Sequence, residues 1–182
     1  MKLFKIVKDD KRSLHERSTP IEMPMSDELK ATLKDMLEYL KLSQDEKFAE
    51  EHDIRGGVGL AAPQIGINKD MLAIYYEDDK NVKHEYMLVN PVIVSESVKR
   101  AYLGNGEGCL SVDKPHEGYV YRAYKVTVKA YDLCTEKDVL YVFVGYPAII
   151  VQHEIDHLRG VLFYDRIDKL DPFKKDPSAV EL

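Results

Sequence analysis

The segment QHEIDH at 152–157 holds the residues with the clearest chemical purpose. His153 and His157 stand four apart, which on a helix puts both imidazoles on one face, one turn from each other, where they can share a metal ion. Glu154 lies beside that pair and not in it. A carboxylate so placed takes a proton from a water activated by the metal and returns it to a leaving group. The plainer alternative, two hydrogen-bonded core histidines, leaves the neighbouring glutamate idle, and burial makes an idle charge expensive.

A catalytic site of this kind needs a third protein ligand and an open position. The extended protease pattern would put a histidine at 163, where the chain has Phe163, and the tail offers only Glu181, at an end expected to fray. Cys109, in GEGCLSV at 106–112, is the better candidate, a thiol in a glycine-flanked segment whose backbone can approach a metal closely. Taken alone, a free cysteine is more often a small buried hydrophobe; beside the histidine pair the ligand reading prevails. Cys134, in the polar turn at 132–136, is read as structural.

The third chemical feature is GGVGLAAPQIG at 56–66. Its Gly57-x-Gly59-x-x-Ala62 spacing imitates a dinucleotide-binding turn. The acidic residues before it are no buried strand, however, and Pro63 interrupts any helix opened there. A plain glycine turn is one remaining reading. The other is a backbone edge at Val58 and Gly59 that accepts an extended substrate by main-chain hydrogen bonds, with the Gln64 amide as an oxyanion donor.

These residues need elements to hold them. Pro147 suits the start of a helix and Gly160 the position just past its end, bracketing a helix over 147–159 with little polar face, hence interior. Ser26 followed by two acids and by Leu29, Leu33, Met36, Leu37 and Leu40 predicts an amphipathic helix over 27–42. Residues 43–56 read as an exposed connection with room for a short helix. Strand-like runs cover 71–76, 85–94 and 125–131, and 139–144 answers the third as a hairpin. The expected fold class is α+β. It is a single domain, 1–182, with antiparallel and mixed sheets around a buried helix carrying the HExxH motif, plus the N-terminal amphipathic helix.

Composition narrows the setting. With 182 residues and 45% hydrophobic content the chain can bury a real core. A formal charge of −6 without a dissenting basic patch argues against direct nucleic-acid or anionic-membrane binding. Two cysteines are too few for a disulfide scaffold, the charged start from Met1 to Asp10 is unlike a signal peptide, and no apolar run is long enough for a membrane span. A cytoplasmic protein fits these features.

Taken together and in order, GVGLAAPQ (57–64), EGCLS (107–111) and QHEIDH (152–157) resemble the peptide deformylase family, in the longer form typical of Gram-positive bacteria. Two departures are local: His15 stands where the family usually has arginine, and Gly104–Asn105 replaces a Pro-Thr pair. The resemblance implies removal of the formyl group from the N-terminal formylmethionine of nascent polypeptides, with release of formate and work near the ribosome. It implies one divalent metal, usually iron(II), replaceable by zinc, nickel or cobalt, on Cys109, His153 and His157. It also implies Glu154 as the proton carrier, Gln64 and the Leu110 N–H as oxyanion donors, and Val58 and Gly59 as the peptide-pairing edge. A metalloprotease or other metal-dependent amidase using the same ligands, or a non-catalytic metal domain, stays open at this point. Asp156, on a buried helix, calls for a cationic partner, with Arg122 the first choice.

Overall fold

A computed structural model describes residues 3–182; Met1 and Lys2, the first two of the charged N-terminal stretch, lie outside the described residues. Helix α1 runs Asp27–Ser43, one residue beyond the expected end. It starts where Ser26 Oγ accepts a hydrogen bond from the Leu29 N–H, and it buries Leu33, Met36, Leu37 and Leu40. The charged connection does contain a short helix, α2 (Glu46–His52), capped by Asp45 and ended by Asp53 in the left-handed conformation.

The main sheet has the order β1-β2-β3-β6-β7, from Gly59–Ala61, Met71–Glu77, Lys83–Glu96, Lys125–Asp132 and Lys137–Val144, with every neighbouring pair antiparallel. Strand β2 is buried on both faces for a reason visible in its period of two. Met71, Ala73 and Tyr75 join the cluster built on α1. Leu72, Ile74 and Tyr76 join the cluster built on the second long helix, α3 (Tyr146–Leu158). The sheet is therefore sandwiched at its β1–β2 end, and an alternating polar pattern was never available there. At the other end it is covered on one side only: Val126, Val128 and Ala130 point in, and Leu140 and Val142 of the edge strand stay exposed.

Gly145 (φ 69°) precedes α3 and Gly160 (φ 72°) follows it, both in backbone regions that an L side chain resists. Gly160 has a second reason: a Cβ there would stand 2.6 Å from the backbone carbonyl of His15. His15 itself bonds the Asp9 carbonyl through Nε2 at 2.8 Å.

The C-terminus corrects the expectation of a fraying end. Val180–Glu181 forms strand β8, which runs parallel to β4 (Arg100–Tyr102), and β4 pairs on its other side with β5 (Arg122–Ala123) in a small three-stranded sheet. The Tyr102 hydroxyl donates to Glu181 Oε2 at 2.7 Å, and the Leu182 N–H donates to the Tyr102 carbonyl at 2.9 Å. A Cβ on Gly104 would lie 2.5 Å from Glu181 Oε1, so a side chain there would have to displace that carboxylate. Among the described residues no helix is long and apolar enough to cross a membrane.

Candidate active site

Three elements converge on one pocket of about 390 Å³. Helix α3 supplies His153 and Glu154 to its lining, with the buried His157 one turn further along, the 106–112 loop supplies Cys109, and the 57–64 edge supplies Gln64. Donor atoms of Cys109, His153 and His157 all lie within 4.8 Å of one another, and no other group of three or more metal-binding side chains occurs among the described residues. Cys109 Sγ and His157 Nε2 are 3.3 Å apart. That is close to the edge, roughly 3.5 Å, of a tetrahedron with metal–sulfur near 2.3 Å and metal–nitrogen near 2.0 Å. The donor set thus fits a single divalent metal. Cys134 is exposed in the β6–β7 turn and takes no part.

His153 turns its Nδ1 to Glu107 Oε2 at 2.7 Å, which leaves Nε2 facing the cluster. Glu107 receives Arg122 Nε and Nη2 at 2.6 and 2.9 Å; Arg122 Nη1 reaches Asp156 at 2.8 Å, and Arg166 closes the chain with two 2.6 Å contacts to Asp156. Arg122 is the partner of Asp156. Glu107 was not singled out in the sequence, although its place two residues before a candidate ligand was a usable signal. Burial by itself would raise the Glu107 pKa; the bonds from His153 and Arg122 overcome it and hold the carboxyl at about 2. Burial opposes charge on both histidines as well. Cys109 and Glu107 outweigh it at His153 and raise its pKa, while at His157 burial prevails and lowers it.

Glu154 has no such company. It is buried, its Oε2 has no hydrogen-bond partner, and burial is the first cause of a pKa raised to about 7. Gly59 sits against it: a Cβ at that position would run into the Glu154 carboxylate. The glycine is therefore a steric requirement of the pocket, a reason that spacing alone did not supply. Of the glycines flanking Glu107, Gly106 is needed for its φ of 77°, whereas a Cβ on Gly108 would meet only open space.

Gln64 is fixed at both ends. Its Oε1 accepts from the Ala61 N–H at 2.9 Å, and this orients Nε2 toward Ser111 Oγ (3.2 Å) and Cys109 Sγ (3.5 Å). The Leu110 N–H has no hydrogen-bond partner among the described residues, and Leu110 lines the same pocket. Val58 lies just outside β1. Its carbonyl accepts from the Tyr75 N–H at 2.9 Å, so that group is committed to the sheet, while its N–H has no partner among the described residues. β1 is an edge strand, and the end of α1 props the segment before it: Gln44 Nε2 donates to the Gly57 carbonyl at 2.8 Å and Ser43 Oγ accepts the Gly57 N–H at 3.1 Å.

The irregular N-terminal segment also reaches the site, which the sequence did not reveal. The Val7 N–H donates to the Gln64 carbonyl at 2.8 Å, and the Asp9 N–H donates to the Ser111 carbonyl at 3.0 Å. Lys8 Nζ meets the Leu110 carbonyl at 3.0 Å. Arg55 Nη2 meets the same carbonyl at 2.8 Å and that of Cys109 at 3.1 Å.

Residues 3–173 match the model of the polypeptide deformylase family. The peptide deformylase of Staphylococcus epidermidis is 50% identical over 178 residues, 97% of each chain. That of Oceanobacillus iheyensis is 49% identical over 168 residues, 92% of this chain and 91% of its own. Among solved structures, the Met-Ala-Ser-bound class I type b peptide deformylase from Acinetobacter baumannii aligns with a TM-score of 0.71 at 32% identity, covering 91% of this chain and 99% of that one. The chain belongs to the polypeptide deformylase family and is an enzyme of that family.

Proposed function

We propose that residues 1–182 act as one catalytic domain that removes the formyl group from the N-terminal formylmethionine of nascent polypeptides and releases formate. The observation that carries this reading is the Cys109/His153/His157 group bordering one pocket that also holds an unpartnered buried glutamate oxygen and an oriented amide donor. Cys109, His153 and His157 would hold one divalent metal, expected to be iron(II), with zinc, nickel or cobalt as replacements. When bound, it supplies Lewis-acid polarisation and an acidified water.

The chain does the rest. Glu154 Oε2, buried and free of any competing hydrogen-bond partner, accepts the proton of the attacking water and delivers it to the departing amine nitrogen. Gln64 Nε2 and the Leu110 N–H donate to the oxygen on which negative charge develops. The partnerless Val58 N–H and the edge at Gly59 pair with the substrate backbone. Leu103, Ile149 and Ile150 give the pocket the apolar wall that a methionine side chain requires. The protein works in the cytoplasm, close to the ribosome through its nascent-chain substrate, without binding nucleic acid or membrane.

Anaerobically purified, metal-loaded protein is expected to release formate from formyl-Met-Ala-Ser and to leave acetyl-Met-Ala-Ser intact. Comparable release of acetate, or cleavage of internal peptide bonds, overturns the reading in favour of a broader amidase or protease. The ligand assignment has its own check in metal analysis. Cys109→Ala loses metal and activity, and Cys134→Ala keeps both; the reverse result would place the site elsewhere.

A further inference from the structure

Two cations sit on backbone carbonyls of the 109–112 loop: Arg55, which also lines the pocket, and Lys8. Arg55 Nη2 lies 3.1 Å from the Cys109 carbonyl, 2.8 Å from that of Leu110 and 3.3 Å from that of Val112. Lys8 Nζ adds a second positive charge to the Leu110 carbonyl at 3.0 Å. Each carbonyl belongs to a peptide unit whose N–H looks the other way. The unit with the Cys109 carbonyl carries the Leu110 N–H, which has no partner among the described residues. The unit with the Leu110 carbonyl carries the Ser111 N–H, which donates to Cys109 Sγ at 3.4 Å.

A charge-assisted bond to a carbonyl withdraws electron density through the conjugated amide and makes the N–H of the same unit a stronger donor. We propose that Arg55, assisted by Lys8, is a positioning residue of the reaction: it fixes and polarises two successive peptide units so that their N–H groups serve the oxyanion and the cysteine sulfur. The inference rests on the oxyanion role given above to Leu110. Asp113, which pairs with Arg55 at 3.1 Å and with Lys8 at 2.8 Å, holds the two cations together without touching the pocket.

Arg55 and Lys8 are about half exposed, at 53% and 40%, so water screens part of their effect. Removing an oxyanion donor outright costs about 10² to 10³ in kcat, and weakening one through its carbonyl should cost less, roughly tenfold. The test uses zinc-loaded protein, which is diamagnetic. Arg55→Met is expected to lower kcat for formyl-Met-Ala-Ser about tenfold, with KM within about twofold and metal content unchanged. It should also move the Cys109 carbonyl carbon and the Leu110 and Ser111 amide resonances upfield. Arg55→Lys, which keeps the charge but not the fork, should fall between Arg55→Met and wild type. Asp113→Asn loosens the pair while leaving Arg55 on the carbonyls, and should keep kcat and the Cys109 resonance close to wild type.

Unchanged kcat in well-folded Arg55→Met overturns the proposal. So does an equal loss in Asp113→Asn with the carbonyl resonance in place, since that pattern describes loop anchoring alone. If Arg55→Met folds poorly, Lys8→Met removes one cation from the Leu110 carbonyl with Arg55 intact, and an unmoved Ser111 amide would then count against polarisation. Wild type that released no formate would fail the functional reading alone; the carbonyl resonance would still decide whether Arg55 polarises the loop.

Discussion

A carboxylate kept without a partner inside a protein is costly, and Glu154 is kept that way by its neighbours' geometry. Gly59 leaves room for it and Gly59→Ala takes the room away, so this one methyl group should cost activity without altering any polar group. The expected result is a large fall in kcat at normal metal content, read by steady-state kinetics beside metal analysis; normal turnover would mean that the edge shifts freely. Glu154→Gln has the same volume and should likewise retain metal, while losing the roughly 10² to 10⁴ that a general base contributes. Gln64 is held through Oε1 on the Ala61 N–H while its Nε2 points toward the cluster, so loop anchoring and the proposed donor role can be carried by the same side chain. Gln64→Leu should therefore reduce kcat by roughly 10² to 10³ and also lower thermal stability, since the Ala61 N–H loses its acceptor. A defect confined to KM and melting temperature would strip Gln64 of the donor role.

Helix α3 is a wall of the core that carries chemistry, and its polar residues are tolerated because each charge on its far side is answered. The buried run His153, Glu107, Arg122, Asp156 ties α3 to the cysteine loop and to β5, so helix and loop cannot shift independently. Arg122→Met leaves two buried carboxylates facing an apolar side chain, and an uncompensated buried charge costs about 3–5 kcal/mol. Denaturant unfolding should show a loss in that range; a loss under about 1 kcal/mol would mean that Arg166 alone satisfies the site. Glu107→Gln is the gentler probe. It keeps the shape and an acceptor for His153 but removes the charge, and should weaken metal affinity by about 10- to 100-fold, as measured by competition with a chelator.

At the scale of the molecule, both ends of the described chain are drawn to the site. Residues 7–9 brace Gln64 and Ser111, and β8 clasps β4 just before Leu103, a pocket wall. Removing residues 180–182 deletes the Glu181 acceptor of Tyr102 and the Leu182 carbonyl that accepts the Gly104 N–H at 3.2 Å. A few such bonds amount to roughly 1–3 kcal/mol, or a melting point lower by several degrees in a chain of this size. Because the groups proposed to carry the chemistry lie on α3, the cysteine loop and the 57–64 edge, KM should rise while kcat stays near wild type. A selective loss of kcat would show instead that the C-terminal strand reaches the chemistry.

The sequence by itself determined what is local. Two histidines at helical spacing, a Ser26 cap ahead of an apolar period, Gly160 past a helix end and a β6–β7 hairpin are each decided by residues a few positions apart, and each is found where the spacing puts it. Only the tertiary structure decided the company those elements keep. That Glu107 orients His153, that Gly59 exists for the sake of Glu154, that Arg55 and Lys8 sit on one carbonyl, and that the last residues form a strand are matters of separation in sequence. The pairs lie tens of residues apart, and no local propensity or period encodes them. Such contacts form because burying α3 against the sheet leaves polar groups that must find partners wherever the folded chain brings them.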